Sequence, residues 1–182
     1  MRRLIWSLVV IVALLAILDR VALAAAQHDV AERLKADAHL SSTPSVHIHG
    51  YPFLTQLIGG DYGDVDVVMH GLDGGGVRID RLTVHVRGAH VSFSDVISQD
   101  RSRIRIDHAT ADLLLTSAAL HHADVTSASV SGGDTVVLHT SGGVDVPVEL
   151  TNLPFGIRLT SAKTTQDGIE VTGDARGLVL RT

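Results

Sequence analysis

The 182-residue sequence is 45% hydrophobic but only 3% aromatic and has no cysteine, so its core must be built from Val, Leu, Ile and Ala, without disulfides or thiolate metal sites. Fifteen basic side chains face 20 acidic ones; removing residues 1–26, which hold Arg2, Arg3, Arg20 and Asp19, leaves 12 against 19. That balance excludes a bulk electrostatic attraction to nucleic acid or to an anionic membrane.

Arg2-Arg3 precede an apolar run from Leu4 to Leu18 broken only by Ser7, the charged-then-apolar order of an export signal. The run measures about 22 Å as a helix, short of the roughly 30 Å hydrocarbon core unless Val21-Ala22-Leu23-Ala24 extends it. Ala22-Leu23-Ala24 and Ala24-Ala25-Ala26 offer small-x-small cleavage sites, whereas Asp19-Arg20 between run and sites suits an anchor. Residues 1–26 are therefore a signal peptide or a membrane anchor, with both fates open. The basic flank keeps the N-terminus cytoplasmic and sends residues 27–182, one domain, outward.

Val21, Ala24, Ala25, His28, Ala31, Leu34 and Ala38 recur at helical spacing, which predicts an amphipathic helix from about Arg20 to Leu40 lying across a sheet. Phe53, Leu54, Leu57 and Ile58 share one side of a one-turn or two-turn helix, bounded by Gly50 and Pro52 before and Gly59-Gly60 after, between two strands. From Asp64 onward almost everything alternates with period two. Val77 and Ile79 share one parity and Leu82, Val84 and Val86 the other, which predicts a bulge at Asp80-Arg81; the same switch between Ile106 and Ala109 predicts a second. A short helix is expected around Thr116 to Leu120. Ala123–Val130 and Asp134–Thr140 read as a hairpin about Gly132-Gly133, Val144 to Leu150 as a strand whose Pro147 marks an edge, and 157–165 with 169–180 as a closing hairpin. One helix with seven or eight antiparallel strands is an α+β class.

Eleven histidines raise a metal-dependent hydrolase, with His47 and His49 on one strand face and His121-His122 adjacent, but a catalytic zinc site needs three ligands and no His-Glu-x-x-His is present. No Gly-x-Ser-x-Gly elbow or phosphate loop occurs, and no enzymatic activity or cofactor is expected. Asp61, Asp64 and Asp66 have calcium-type oxygens, but their alternation fits the solvent face of a strand, with Asp61 fixing the turn after Gly60. Arg101, Arg103 and Arg105, with Arg78, Arg81 and Arg87, form the dense cationic groups. They read either as a solvated edge or as bidentate partners for a phosphate or inositol headgroup.

Gly50-Tyr51-Pro52-Phe53-Leu54-Thr55-Gln56-Leu57, then Gly59-Gly60-Asp61-Tyr62-Gly63-Asp64-Val65, and near the C-terminus Leu153-Pro154-Phe155-Gly156 with Asp167-Gly168-Ile169-Glu170-Val171, resemble an exported actinobacterial phospholipid-binding family, that of the mycobacterial mannan-maturation factor. The resemblance implies a long N-terminal helix packed on a strongly coiled antiparallel sheet, in the tubular lipid-binding manner. It implies a periplasmic or cell-envelope protein that binds or transfers phospholipid, including phosphoinositide, through an apolar groove and supports envelope glycolipid or lipoglycan maturation. Phe53, Leu54, Leu57, Ile58, Leu153 and Phe155 are then groove candidates, or else plain core. Arg101, Arg103 and Arg105 are headgroup candidates. The competing expectation is an anchored periplasmic assembly factor that binds a protein partner and no lipid.

Overall fold

The computed structural model describes residues 2–37, 40, 42–73, 78–91, 103–116, 125–150, 153 and 156–181. Helix α1 (Arg2–Asp37) leads to strand β1 (Ser45–Ile48), helix α2 (Phe53–Gly59) and the long strands β2 (Asp61–Asp73), β3 (Arg78–His90) and β4 (Arg103–Leu115). Three short strands, β5 (Val125–Ser131), β6 (Thr135–Thr140) and β7 (Asp145–Glu149), precede the hairpin of β8 (Arg158–Thr165) and β9 (Gly168–Arg181). The class is α+β, as the alternation requires. The strands form a six-stranded antiparallel sheet in the order β1-β2-β3-β4-β9-β8 and a three-stranded one in the order β5-β6-β7. Pro147 lies on β7, an edge as expected. The expected helix from Thr116 to Leu120 falls almost wholly outside the described residues.

One core joins both sheets: Leu82, Val84, Ala109, Ala111, Leu113 and Val171 of the large sheet are buried together with Val136, Leu138, Val148 and Leu150 of the small one. The turn of the small sheet ties the layers, Leu159 N–H of β8 donating to Gly133 O at 2.7 Å.

The two predicted bulges are absent, although both changes of parity are present. Ile79 and Leu82 are both buried, as are Val86 and Ala89 on β3 and Ile106 and Ala109 on β4. Yet neither the β2–β3 nor the β3–β4 pairing shifts register. The switch is made by rows that step out of pairing on neighbouring strands at once. Gly63, Gly88, Asp107 and Gly177 stand opposite one another across β2, β3, β4 and β9, and the pairing resumes unchanged beyond them. Gly88 and Gly177 have φ of 66° and 62°, and Gly71 (φ 67°) does the same opposite Asp80. A left-handed glycine reverses which face the next side chain takes, and because the residue opposite it, Asp80 or Asp107, leaves the pairing at the same level, both strands change face and no register shift is needed. Register shifts lie instead in β5 at Val125/Ser127 and in β8 at Leu159/Ser161.

Helix α1 is continuous through residues 26 and 27 and touches α2 and the edge strand β1. Its inward stripe is Asp19, Ala22, Leu23, Ala26, Gln27, Ala31 and Leu34, whereas Val21, Ala24, Ala25 and His28 of the expected face point outward. The phase is set by two points of attachment, Asp19 and Ala31, the two buried residues of the helix among those described.

Candidate functional site

Helix α2 has seven residues, too short to persist without external support. Its C-terminus is closed by Gly60, left-handed at φ 73°, whose N–H donates to Gln56 O at 2.7 Å. Its N-cap position is Pro52, which makes no side-chain cap bond, so the first N–H groups of the helix need an acceptor from elsewhere. Asp19 of α1 supplies it. The Leu54 N–H donates to Asp19 Oδ1 at 2.8 Å, and the Phe53 N–H also faces that carboxylate. Asp19 is 2% exposed, its other oxygen accepts from Arg20 at 2.8 Å, and the Arg20 guanidinium lies 5.0 Å from the centre of the Tyr51 ring. An acid directly after the apolar run of the helix was the available sign of this role, but its partner lies 35 residues away.

The groove candidates part company here. Phe53 is 1% exposed and stacks at a tilt on Tyr62, centroids 6.4 Å apart, and Tyr62 in turn packs on the main core. Leu54 and Leu57 are half-buried and Ile58 is exposed. Leu153 is half-buried directly against the main core, and Phe155 lies outside the described residues. Tyr62 is the neighbour of Phe53 that periodicity did not single out.

Of the headgroup candidates, Arg101 lies outside the described residues and Arg103 stands on β4 opposite Arg181. Arg105 is exposed, opposite His90 and Val179. Arg78, Arg81 and Arg87 are exposed on β3. Arg87, His108 and Arg176 occupy one row beside Asp64, which adds Arg176 to the cationic face.

The histidines and aspartates pair across strands. Asp66 accepts from His85 Nδ1 at 2.6 Å and from His49 Nε2 at 2.9 Å. His47 turns instead to Ser45, 3.0 Å away. Asp61 does not fix the turn after Gly60: it accepts from His90 Nδ1 at 2.6 Å, while His90 Nε2 reaches Asp107 at 3.2 Å. Two carboxylates that can only accept favour the doubly protonated ring, and those bonds, Asp61 first, raise the pKa of His90. Among the described residues no three His, Asp or Glu side chains are grouped to hold a metal.

Two carboxylates tie this face to pH. Partial burial works to raise the pKa of Asp66, but the bonds from His85 and His49 outweigh it and hold the group below the usual carboxylate value. The Thr116 hydroxyl, donating at 2.6 Å, does the same for Asp80 against a smaller effect of burial, helped by the Thr116 N–H at 2.9 Å. A depressed pKa contributes stability above the unfolded value, about pH 4 for aspartate, which is lost as pH falls through the folded value. Melting of the full chain is expected to fall below that pH, and less steeply in Asp66→Asn/Asp80→Asn. His90, raised, contributes below about pH 6.5, and that part fades as pH rises through its folded value. His90→Gln is expected to flatten that arm alone, and an unchanged profile would count against the pairing. Asp80→Ala is expected to cost about 1–2 kcal/mol at neutral pH by freeing Thr116 at the end of β4, measured by denaturant unfolding.

A family model described as LmeA-like phospholipid-binding matches residues 17–123, more than half of the chain. The chain belongs to the LmeA-like phospholipid-binding family. A search of curated proteins and a search of solved structures returned no match. The LmeA-like segment takes in Asp19, Arg20, α2 and β1 to β4, so the acid on α1 and the helix it caps fall within one family unit. That is the resemblance read from the Gly50–Val65 block, reached independently. The C-terminal block around Leu153 lies beyond the matched residues.

Proposed function

We propose that this LmeA-like chain is an exported, membrane-anchored protein of the cell envelope that binds phospholipid in an apolar groove and passes it on without a catalytic step, in support of glycolipid or lipoglycan maturation. The observation that carries the reading is the match to a phospholipid-binding family over residues 17–123. The helix supports the anchor: the large apolar side chains of its run from Leu4 to Leu18 are exposed, and α1 is long and apolar enough to cross a membrane. Asp19 supports retention of residues 1–26 over cleavage, because cutting after Ala24 or Ala26 would strip α2 of its N-terminal acceptor.

In this reading α1 and the bent six-stranded sheet form the tubular lipid-binding architecture, and α2 is its plug. The Phe53–Tyr62 contact joins plug to core, and acyl chains enter by parting it, each methylene buried contributing about 0.8 kcal/mol. Arg103 and Arg105 of β4, with Arg101 just before them, select an anionic headgroup such as a phosphoinositide through bidentate bonds. The test uses the full chain in vesicles containing photoactivatable phosphatidylglycerol or phosphatidylinositol. Cross-links on the Phe53–Ile58 segment and on β2 to β4 are expected. Cross-links confined to Leu4–Leu18 would overturn the carrier reading.

A specific observation favours a second reading, that of an assembly factor binding a protein partner. Val144 and Val146 are 60% and 41% exposed on and beside the edge strand β7, where an extended segment of a partner could add. Cross-links confined to the anchor, with no lipid on the folded domain, would put it first.

A further inference from the structure

We infer that α2 is a membrane-contact surface, with Tyr51 and Ile58 seated in the headgroup and upper acyl region of the bilayer that holds α1. The inference rests on the anchored reading of α1 and adds where the domain sits on the membrane.

The first observation is length. The exposed run Leu4–Leu18 is 15 residues, about 22 Å of helix, and a hydrocarbon core of about 30 Å needs some 20 residues. The missing 8 Å or so must come from the next turn and a half of α1, which holds Asp19 and Arg20 and then Val21, 60% exposed. A bare carboxylate and guanidinium at that depth would cost several kcal/mol. Here neither is bare. Asp19 is covered by α2, bonded to Leu54 N–H and paired with Arg20, and Arg20 lies over the Tyr51 ring. Whatever depth Asp19 takes, α2 takes with it.

The second observation is independent of the first. Tyr51 and Ile58 are 68% and 69% exposed, and among the described residues the only other large hydrophobic side chains so exposed outside α1 are Val144 and Val146. Two such side chains flanking one short helix, at the level where the apolar run of α1 ends, continue its lipid-facing surface sideways. An aromatic ring with a hydroxyl, an arginine above it and an aliphatic tip beside it is the side-chain set that settles at the boundary between headgroups and acyl chains. The occupant is thus a lipid bilayer, and α2 lies in its interfacial plane.

The chain has no cysteine, so single-cysteine labelling needs no background changes. The full chain carrying Val12→Cys, Ile58→Cys or Thr164→Cys, labelled with the fluorophore NBD, is reconstituted into phosphatidylcholine–phosphatidylglycerol vesicles with or without lipids bearing a doxyl quencher near the glycerol end of the acyl chain or near its middle. All three positions are exposed, so the substitutions leave the fold intact. The expected result at Ile58 is blue-shifted emission and at least about twofold quenching by the shallow doxyl lipid. Val12 is quenched by the deep one and Thr164 by neither. An Ile58 label that behaves like Thr164 while Val12 is quenched overturns the inference and leaves the anchor standing. A Val12 label that is not quenched overturns both.

Discussion

Replacing Asp19 with alanine is expected to release α2 from α1, at a cost of about 1–3 kcal/mol. The cost arises because two effects add. The Leu54 N–H loses a charged acceptor at 2.8 Å, and it lies where α2 is packed on α1, so water replaces the carboxylate poorly. The N-cap residue cannot compensate, since Pro52 has no side-chain acceptor. Phe53 goes with the helix: its burial depends on the α1–α2 contact and on Tyr62, and not on direct membership of the main core. Hydrogen exchange of the full chain in vesicles is the measurement. Amides in the segment around Leu54 to Gln56 are expected to exchange about 10- to 100-fold faster in Asp19→Ala, while those of β3 and β4 hold. Asp19→Asn, which keeps an acceptor oxygen, is expected to lie between wild type and alanine. Unchanged exchange in Asp19→Ala would mean that α2 is held by packing alone, and it would remove the reason for keeping residues 1–26 attached.

Gly88→Ala is expected to destabilise the large sheet by about 2–3 kcal/mol, a fall in melting temperature of roughly 4–12 °C for a chain of this size. Gly88 has φ 66°, which costs an L-residue about 1–2 kcal/mol by itself. A Cβ there would also lie 3.0 Å from the Cβ of Asp107 and closer still to its carboxylate. Asp107 is not free to swing aside without losing His90, whose Nε2 it holds. A double-mutant cycle separates the contributions, because Asp107→Ala removes the collision with the carboxylate and leaves the Cβ–Cβ approach and the backbone strain. The Gly88→Ala penalty is expected to shrink but not vanish in that background. A penalty below about 0.5 kcal/mol in the wild-type background would show that the row through Gly63, Gly88, Asp107 and Gly177 tolerates an ordinary residue, contrary to its geometry.

Both residues mark the boundary between what local pattern decides and what it does not. The α+β class, α2 with its left-handed Gly60, the hairpin across Gly132-Gly133 (φ 72° and 84°) and the edge position of Pro147 were legible in the sequence. Each depends on residues within a few positions of one another: a spacing of apolar side chains, a glycine where φ must be positive, a missing donor. The Gly50–Val65 block likewise carried the family, since a contiguous run can be recognised without knowing what it touches.

The changes of parity at Ile79/Leu82 and Ile106/Ala109 were legible too, but not the device that makes them. A bulge is the one-strand solution. The observed solution is shared between strands: Gly71 and Asp80 step out of pairing together on β2 and β3, and only the pairing of four strands places Gly63, Gly88, Asp107 and Gly177 in one row. The same holds for α1. Its amphipathic stripe has several phases of nearly equal merit because alanines fall on more than one side of it, and the phase observed is set by Asp19 reaching an N–H on α2 and Ala31 reaching the core. Whether Phe53 and Leu153 serve one surface is likewise a long-range matter, and the structure gives them different neighbours, Tyr62 for the first and the main core for the second. The sequence by itself determined which segments are helix and strand, where they turn and to which family they belong, because those properties are short-ranged. The tertiary structure alone decided which face of α1 is inward, how the sheet turns over without losing register and which acid caps α2, because each is a contact between residues that chain order keeps far apart.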